Sequence, residues 1–456
     1  MTNSPLLSSG NLKKIFRDPE LIRELAALED FSLIQDESAE FSRLVNIGES
    51  KKEPLSRWVR YREGYSPKIV KRLLELFPLA TPDCFVLDPM CGSGSTQVAA
   101  QGLSVKGAGA DVSPYAVLVS RVKTHPLDSS QIDLARQFLV GLPDLTVSKT
   151  LQLTDTESYL KSYFPEENFY TLLSIKRRIS QQFATESPLF YFLWVSLLAI
   201  VEECSNRRKD GNGLATRPSP VSSPIDEFIM QAKKMIDDVE SYPPNIVKSF
   251  TYRHSAIEVD TLIKDASLDL NADLGAIIFS PPYANSFDYY ESYKIELLFG
   301  DFFTEAELPK ERQKLIRSYR QMGTSKQLVD MPLVETLIRE VMSRLPEKEA
   351  ETGGRDGRSR LLPNLLRGYF EDMRTFIQKA ALSMPTGSYM AIVVDQSAYL
   401  GVLIPTDLLL ANVGKECGLR FERLVICRRA KTSGQQLQIQ PALKEVMRES
   451  AVILRK

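Results

Sequence analysis

The stretch VLDPMCGSGST, residues 86–96, constrains this chain more than any other. A short apolar run ends at Asp88 and Pro89, Gly92 and Gly94 follow, and a helix-forming stretch opens directly after them. Glycine lets the backbone turn sharply and lets a ligand approach with no Cβ in the way. The next strand-like segment, VKGAGAD, ends at Asp111. Strand, glycine turn, helix, strand is the opening of a doubly wound α/β domain. Upstream, YSPKIVKRLLELF spaces Ile69, Leu73, Leu74 and Phe77 at helical intervals, with Ser66 as N-cap and Pro67 in the first helical position.

A turn of this kind cradles a nucleotide, and an acid such as Asp111 at the next strand's end accepts hydrogen bonds from ribose hydroxyls. The turn lacks the third glycine of a dinucleotide fingerprint, and no Gly-Lys-Ser/Thr follows it. Asp88, just before the turn, suits a cationic ligand better than a pyrophosphate. Taken alone, the pattern also fits a strand–helix turn that binds nothing.

The segment AIIFSPPYANSFDYY narrows the reading. Ser280, Pro281, Pro282 and Tyr283 follow a buried strand, and consecutive prolines fix φ and donate no N–H. A serine hydroxyl beside a proline carbonyl offers two acceptors to an NH₂ group. The amino nitrogen of a base is a poor nucleophile because its lone pair is delocalised into the ring. Holding both its hydrogens localises that pair, and Tyr283 offers a face for a base that has left the helix.

Together, VLDPMCGSGST and FSPPY resemble the cofactor and catalytic motifs of the DNA amino-methyltransferases, which act on cytosine N4 or adenine N6. YSPKIVKRLLELF is similar to the helix that precedes the cofactor motif in that family, and DLGAIIFSPPYANSFDYYESYKIELLFG extends the likeness. The resemblance covers about half of the chain. It implies a Rossmann-like α/β methyltransferase sheet, S-adenosylmethionine as methyl donor, and double-stranded DNA as substrate. It implies cofactor contacts from Tyr65, Ser66, Asp88, Pro89, Met90, Cys91, Gly92, Ser93, Gly94 and Asp111, and an adenine-side acid at Asp265 in IKDASLDL. Ser280, Pro281, Pro282 and Tyr283 fall on the catalytic tetrapeptide. Met90 stands where the family more often has Phe, a tolerable apolar exchange. Serine at the head of the tetrapeptide points to cytosine N4. Adenine N6, an RNA or protein amino group, and a non-catalytic DNA-binding module are the alternatives. The resemblance also leaves room for a cognate restriction endonuclease. Cytosine C5 methylation needs a cysteine after a proline, and no Pro-Cys occurs.

The texture divides into blocks: a polar N-terminal arm over 1–60, the cofactor-binding part over 61–125, and a helical insertion over 126–250. The tetrapeptide part follows over 251–300, a charged helical insertion over 301–380, and closing strands over 381–456. The insertions sit between the second and third strands and after the third or fourth, and are expected to read DNA.

Lys and Arg total 57 against 58 Asp and Glu, a net charge of −1, so contact with DNA requires local basic patches. KERQKLIRSYRQMGTSK offers Lys310, Arg312, Lys314, Arg317, Arg320 and Lys326. The Gly- and Pro-rich loop after Cys204 offers Arg207, Arg208, Lys209 and Arg217, and RRAKTSGQQ offers Arg428, Arg429 and Lys431. Each is equally a solvated face. Five scattered cysteines without Cys-x-x-Cys, and two histidines, predict no metal site and no disulfide framework. With no signal-peptide pattern at Met1, they predict a cytoplasmic protein. The apolar run PLFYFLWVSLLAIV is shorter than the ~20 residues of a spanning helix, so it predicts a buried helix and no membrane partner.

Overall fold

The computed structural model describes residues 9–29, 31–45, 52–62, 64–77, 83–210, 213–241, 247–285, 287–318, 327–328, 330–429 and 434–456. Its strands, in chain order, are β1 (Ile34–Asp36), β2 (Phe85–Asp88), β3 (Lys106–Asp111), β4 (Arg207–Asp210), β5 (Gly213–Thr216) and β6 (Ser249–Arg253). They continue with β7 (Leu274–Phe279), β8 (Tyr389–Asp395), β9 (Ser397–Tyr399), β10 (Val402–Ile404), β11 (Arg420–Arg429) and β12 (Arg448–Arg455).

Eight strands pair in the order β1-β11-β12-β8-β7-β2-β3-β6. Neighbours are parallel except at β12, which runs antiparallel to both β11 and β8. From β2 the chain builds outward through β3 and β6, then returns to set β7 on the other side of β2. That reversal is a topological switch point, and the crevice beyond the carboxyl ends of the strands there is where open α/β sheets bind ligands. The architecture is the expected Rossmann-like α/β sheet.

Period-two alternation separates its faces. Phe85 and Leu87 of β2, with Met390, Ile392 and Val394 of β8, face one layer; Val86, Ala391 and Val393 face the other. The first layer holds the helices Val259–Leu270, Leu362–Ser383 and Thr406–Glu416, and Phe376 meets Phe279 edge to face with centroids 4.9 Å apart. The second holds Pro67–Leu76, with Ser66 capping it as its sequence predicts. A further apolar cluster joins the helices between residues 114 and 240 to the segment after the tetrapeptide. The run PLFYFLWVSLLAIV lies in its centre as the buried helix Pro188–Cys204. Among the described residues, no helix is long and apolar enough to cross a membrane.

The structure departs from the sequence reading in three places. β6 lies between the second strand and LGAIIF, so the insertion after β3 leads to an edge strand first. That strand, SFTYR, is short and buries alternate residues only, so it has no apolar run. The loop after Cys204 contains the antiparallel hairpin β4–β5. The chain's last strand is β12, whose opening Arg448 and Glu449 look like surface residues and are both buried.

Candidate active site

The carboxyl ends of β2, β3, β6 and β7 open into one cleft. Its floor is the loop after β2. Gly94 has φ +86° and begins the helix Ser95–Gly102, and a Cβ there would sit 2.5 Å from Ser120 Oγ. Gly92, at φ +50°, packs so closely under Tyr61 that a Cβ would stand 2.8 Å from the ring. Only glycine meets both demands, backbone and space. The loop is pinned to β3: Cys91 N donates to the Ala110 carbonyl at 2.8 Å, and Gly92 N to Asp111 Oδ2 at 3.0 Å. Asp111 also accepts from Ser113 N at 2.8 Å. It lines the cleft, and burial pushes its carboxyl up to about 6 against these two donors.

Asp88 behaves differently from its sequence reading. It is fully buried under the loop and does not line the cleft. Its Oδ2 accepts from the Tyr65 hydroxyl at 2.8 Å and the Thr96 hydroxyl at 2.5 Å, and its Oδ1 from Met90 N at 3.0 Å. Burial pushes this carboxyl up to about 6 as well. Asp88 therefore shapes the loop and presents no carboxylate to a cationic ligand. Tyr65 does line the cleft, while Ser66 is fully buried and spent on capping its helix. Thr96, in plain view in the motif, completes this buried contact beneath the loop, a role its sequence position does not announce. Pro89, Met90, Cys91, Gly92 and Ser93 all line the cleft; Gly94 sits just below it. Burial pushes the Cys91 thiol well above its ordinary range, so it is no nucleophile.

The tetrapeptide follows β7, the strand next to β2, and Ser280 and Pro282 line the same cleft as the glycine loop. Pro281 is buried beneath them. Ser280 Oγ donates to the Tyr283 hydroxyl at 3.3 Å, and that hydroxyl donates to Glu449 Oε1 at 3.2 Å. Arg428 Nε donates to Glu449 Oε2. Tyr61, Tyr289, Tyr290 and Tyr293 complete the wall, with Tyr61 stacked on Tyr293 at 4.9 Å between centroids. Three of these tyrosines stand in FDYYESY, which in the sequence only extends the likeness around the tetrapeptide.

No protein-family model matches the chain. The chain is similar to Type II methyltransferases. It is 25% identical over 461 residues to the Type II methyltransferase M.BsoBI of Geobacillus stearothermophilus, covering 91% of this chain and 88% of that protein. It is 24% identical over 447 residues to M.AvaI of Anabaena variabilis, covering 91% and 89%. With M.MvaI of Kocuria varians the identity is 23% over 408 residues, covering 81% and 83%. Among solved structures, the rRNA methyltransferase aviRa from Streptomyces viridochromogenes aligns with a TM-score of 0.30 and 9% identity over 87% of each chain.

Several predicted contacts lie elsewhere. Asp265 is exposed on the outer side of the helix Val259–Leu270, away from the cleft. The cleft wall at the end of β6 is made instead by His254 and Ser255, hidden from sequence reading because β6 itself was. Lys209 is buried, and its Nζ donates to Glu202 at 2.8 Å and to Glu296 while lying 4.6 Å from the Tyr293 ring centroid. It cannot reach a phosphate. Arg208 spends its guanidinium on carbonyls at the end of the helix Pro188–Cys204, including Ser205 at 2.8 Å and Glu203 at 3.0 Å. Arg312 sits 3.4 Å from Asp288 and 3.6 Å from Glu291. Arg317 makes a two-pronged contact with Asp372 and a third with Glu371 at 2.9 Å. Arg207 lies over the Tyr163 ring, Arg217 pairs with Asp210, and Lys310 is exposed. Arg320, Lys326 and Lys431 lie outside the described residues.

Proposed function

We propose that the chain is a site-specific DNA methyltransferase, transferring a methyl group from S-adenosylmethionine to the exocyclic N4 amino group of cytosine in double-stranded DNA. The observation that carries this reading is the shared cleft: Ser280 and Pro282 line it together with Gly92, Ser93 and Asp111. A methyl donor held on the glycine loop and an amino group held by the tetrapeptide would then meet in one space. Similarity to Type II methyltransferases over nine-tenths of the chain supports the same reading.

The residues present fit the donor. Asp111 is an acceptor at a nucleoside's ribose, Pro89 and Met90 are apolar surface, and the glycine loop admits close approach. Tyr61 and Tyr293 give aromatic faces beside it, favourable to a sulfonium. S-adenosylmethionine, when bound, supplies an electrophilic methyl group on that sulfonium.

The chain's own residues do the rest. Ser280 Oγ and the Pro281 carbonyl accept the two amino hydrogens and localise the nitrogen's lone pair. A base must leave the duplex to reach them, and Tyr283 takes one face of it. Adenine N6 presents the same NH₂ group to the same acceptors, and serine at position 280 favours cytosine over it. DNA contact by the insertions then rests on groups such as the exposed Lys310 and the half-buried Arg207. A restriction endonuclease that reads the same site is the expected partner, and the cytoplasm the expected compartment. The test is labelled-methyl transfer to duplex DNA, tRNA and protein offered in competition. Incorporation into duplex DNA supports the reading, and incorporation only into RNA or protein rejects it.

A further inference from the structure

Methylation of an NH₂ group leaves one proton too many on nitrogen, and neither a serine hydroxyl nor a proline carbonyl is a base able to keep it. The cleft side of Ser280 is connected to one that can. Ser280 Oγ donates to Tyr283 at 3.3 Å, and Tyr283 donates to Glu449 Oε1 at 3.2 Å. Both are long for hydroxyl bonds, as catalytic bonds often are before substrate tightens them. Glu449 is 3% exposed and opens β12, the one antiparallel strand in the main sheet, so its side chain reaches the carboxyl ends of the others.

We infer that Glu449, acting through Tyr283 and Ser280, receives the proton that the amino nitrogen loses on methylation. The inference rests on the function proposed above. The nitrogen–methyl bond forms as the methyl–sulfur bond breaks, with that bond's electron pair staying on sulfur. The nitrogen's surplus proton passes to Ser280 Oγ, the serine proton to the Tyr283 oxygen, and the tyrosine proton to Glu449 Oε1. Serine and tyrosine end with one proton each, the product nitrogen is neutral, and the carboxylate has become a carboxylic acid. Glu449 touches no reacting atom and is a positioning residue in that sense.

The groups around Glu449 suit this task. Arg428, on β11, occupies its other oxygen and balances its charge. Asp395, its register partner on β8, has a buried Oδ1 with no hydrogen-bond partner among the described residues. Burial and the neighbouring Glu449 push the Asp395 carboxyl well above the carboxylate range. Cys427, also on β11, is raised by burial and stays a neutral thiol.

The experiment is single-turnover methylation of duplex DNA against pH, for the wild-type chain, Glu449→Gln, Tyr283→Phe and the double variant. Each single change keeps the shape and removes one link. The expected result is a loss of about 100-fold in each, the scale of a positioned acid or base. The decline of rate at low pH should vanish in both, and the double variant should be no slower than either single one. Cofactor affinity should match the wild type in each, and the melting temperature of Tyr283→Phe should stay near it. Tyr283→Phe removes one hydroxyl only, so it carries the test if Glu449→Gln folds poorly. A wild-type rate and pH profile in either single variant, or losses that multiply in the double, overturns the relay and leaves the proposed function standing. A wild-type chain that methylates no DNA removes both.

Discussion

Tyr65 donates its hydroxyl hydrogen to Asp88 Oδ2 at 2.8 Å, and its oxygen lies 3.2 Å from the carbonyl of Ile278. One side chain from the lead-in to a helix thus touches the end of β2, which begins the glycine loop, and the end of β7, which begins the tetrapeptide. Thr96 closes the knot from below, donating to the same Asp88 oxygen. The two halves of the cleft are held in register by this buried hub.

Tyr65→Phe removes one hydrogen bond to a buried carboxyl group. A loss of about 1.5–3 kcal/mol of stability is expected, as for hydrogen bonds to charged groups. Cofactor affinity should fall with it because the glycine loop loses an anchor. Urea unfolding and calorimetric titration with S-adenosylmethionine measure the two, and unchanged values in both would remove the hub from the account.

Gly94→Ala should abolish cofactor binding. Its φ of +86° strains any L-residue, and the new Cβ would press on Ser120, whose Cα lies 3.0 Å away. The backbone term alone exceeds about 1 kcal/mol. Near wild-type affinity in the calorimeter would show that the loop has room to spare.

Asp111 and Asp88 give opposite pH signatures. Asp111, pushed up to about 6, accepts hydrogen bonds from a bound ribose more strongly when ionised, so cofactor affinity should weaken as pH falls below about 6. Asp111→Asn should bind weakly at every pH. For stability the sign reverses. The folded Asp88 holds its proton up to about 6 while the unfolded chain releases it near 3.8. Between these values the native state binds more protons, so this group's contribution is present below 3.8 and is lost as pH rises to about 6. The loss is on the order of 3 kcal/mol at most, from the spacing of the two values. The difference in melting temperature between wild type and Asp88→Asn, followed from pH 4 to 7, should therefore move in the variant's favour with rising pH. A difference that is flat, or moves the other way, contradicts the assignment.

Lys209→Ala would strand Glu202 and Glu296 together in the interior. A destabilisation of about 3–5 kcal/mol is expected, as for breaking a buried ion pair, with the salt dependence of DNA affinity unaltered. Lys310→Ala, at an exposed position, should leave stability alone and lower the salt slope by about 1. Exchanged outcomes would return Lys209 to the DNA interface.

What the sequence made legible is local. The glycine loop and the tetrapeptide announce themselves because Gly94 needs a positive φ and Pro281–Pro282 fixes a chain direction, both settled within a few residues. Asp88 was legible as important and misread in role, since only the fold brings Tyr65 and Thr96 onto it. Lys209, Arg312 and Arg317 look like a DNA-binding surface in one dimension because Glu296, Asp288 and Asp372, which engage them, come from other segments of the chain. Arg208 is consumed by carbonyls just before it, once the chain turns back on its own helix end. Glu449 and His254 were invisible for a related reason. Glu449 is one of two charged residues that open β12 ahead of its apolar run Ala451–Leu454, and His254 follows β6, a short edge strand with no apolar run.

The most direct measurement is nucleoside analysis by mass of duplex DNA after incubation with the protein and labelled S-adenosylmethionine, run beside Ser280→Ala. The account predicts N4-methylcytosine from the wild type and none from the variant, with cofactor binding intact in both. N6-methyladenine would keep the cleft and overturn the base. Undiminished methylation by Ser280→Ala, or no methylated nucleoside from a wild-type chain that binds the cofactor, would contradict the central claim.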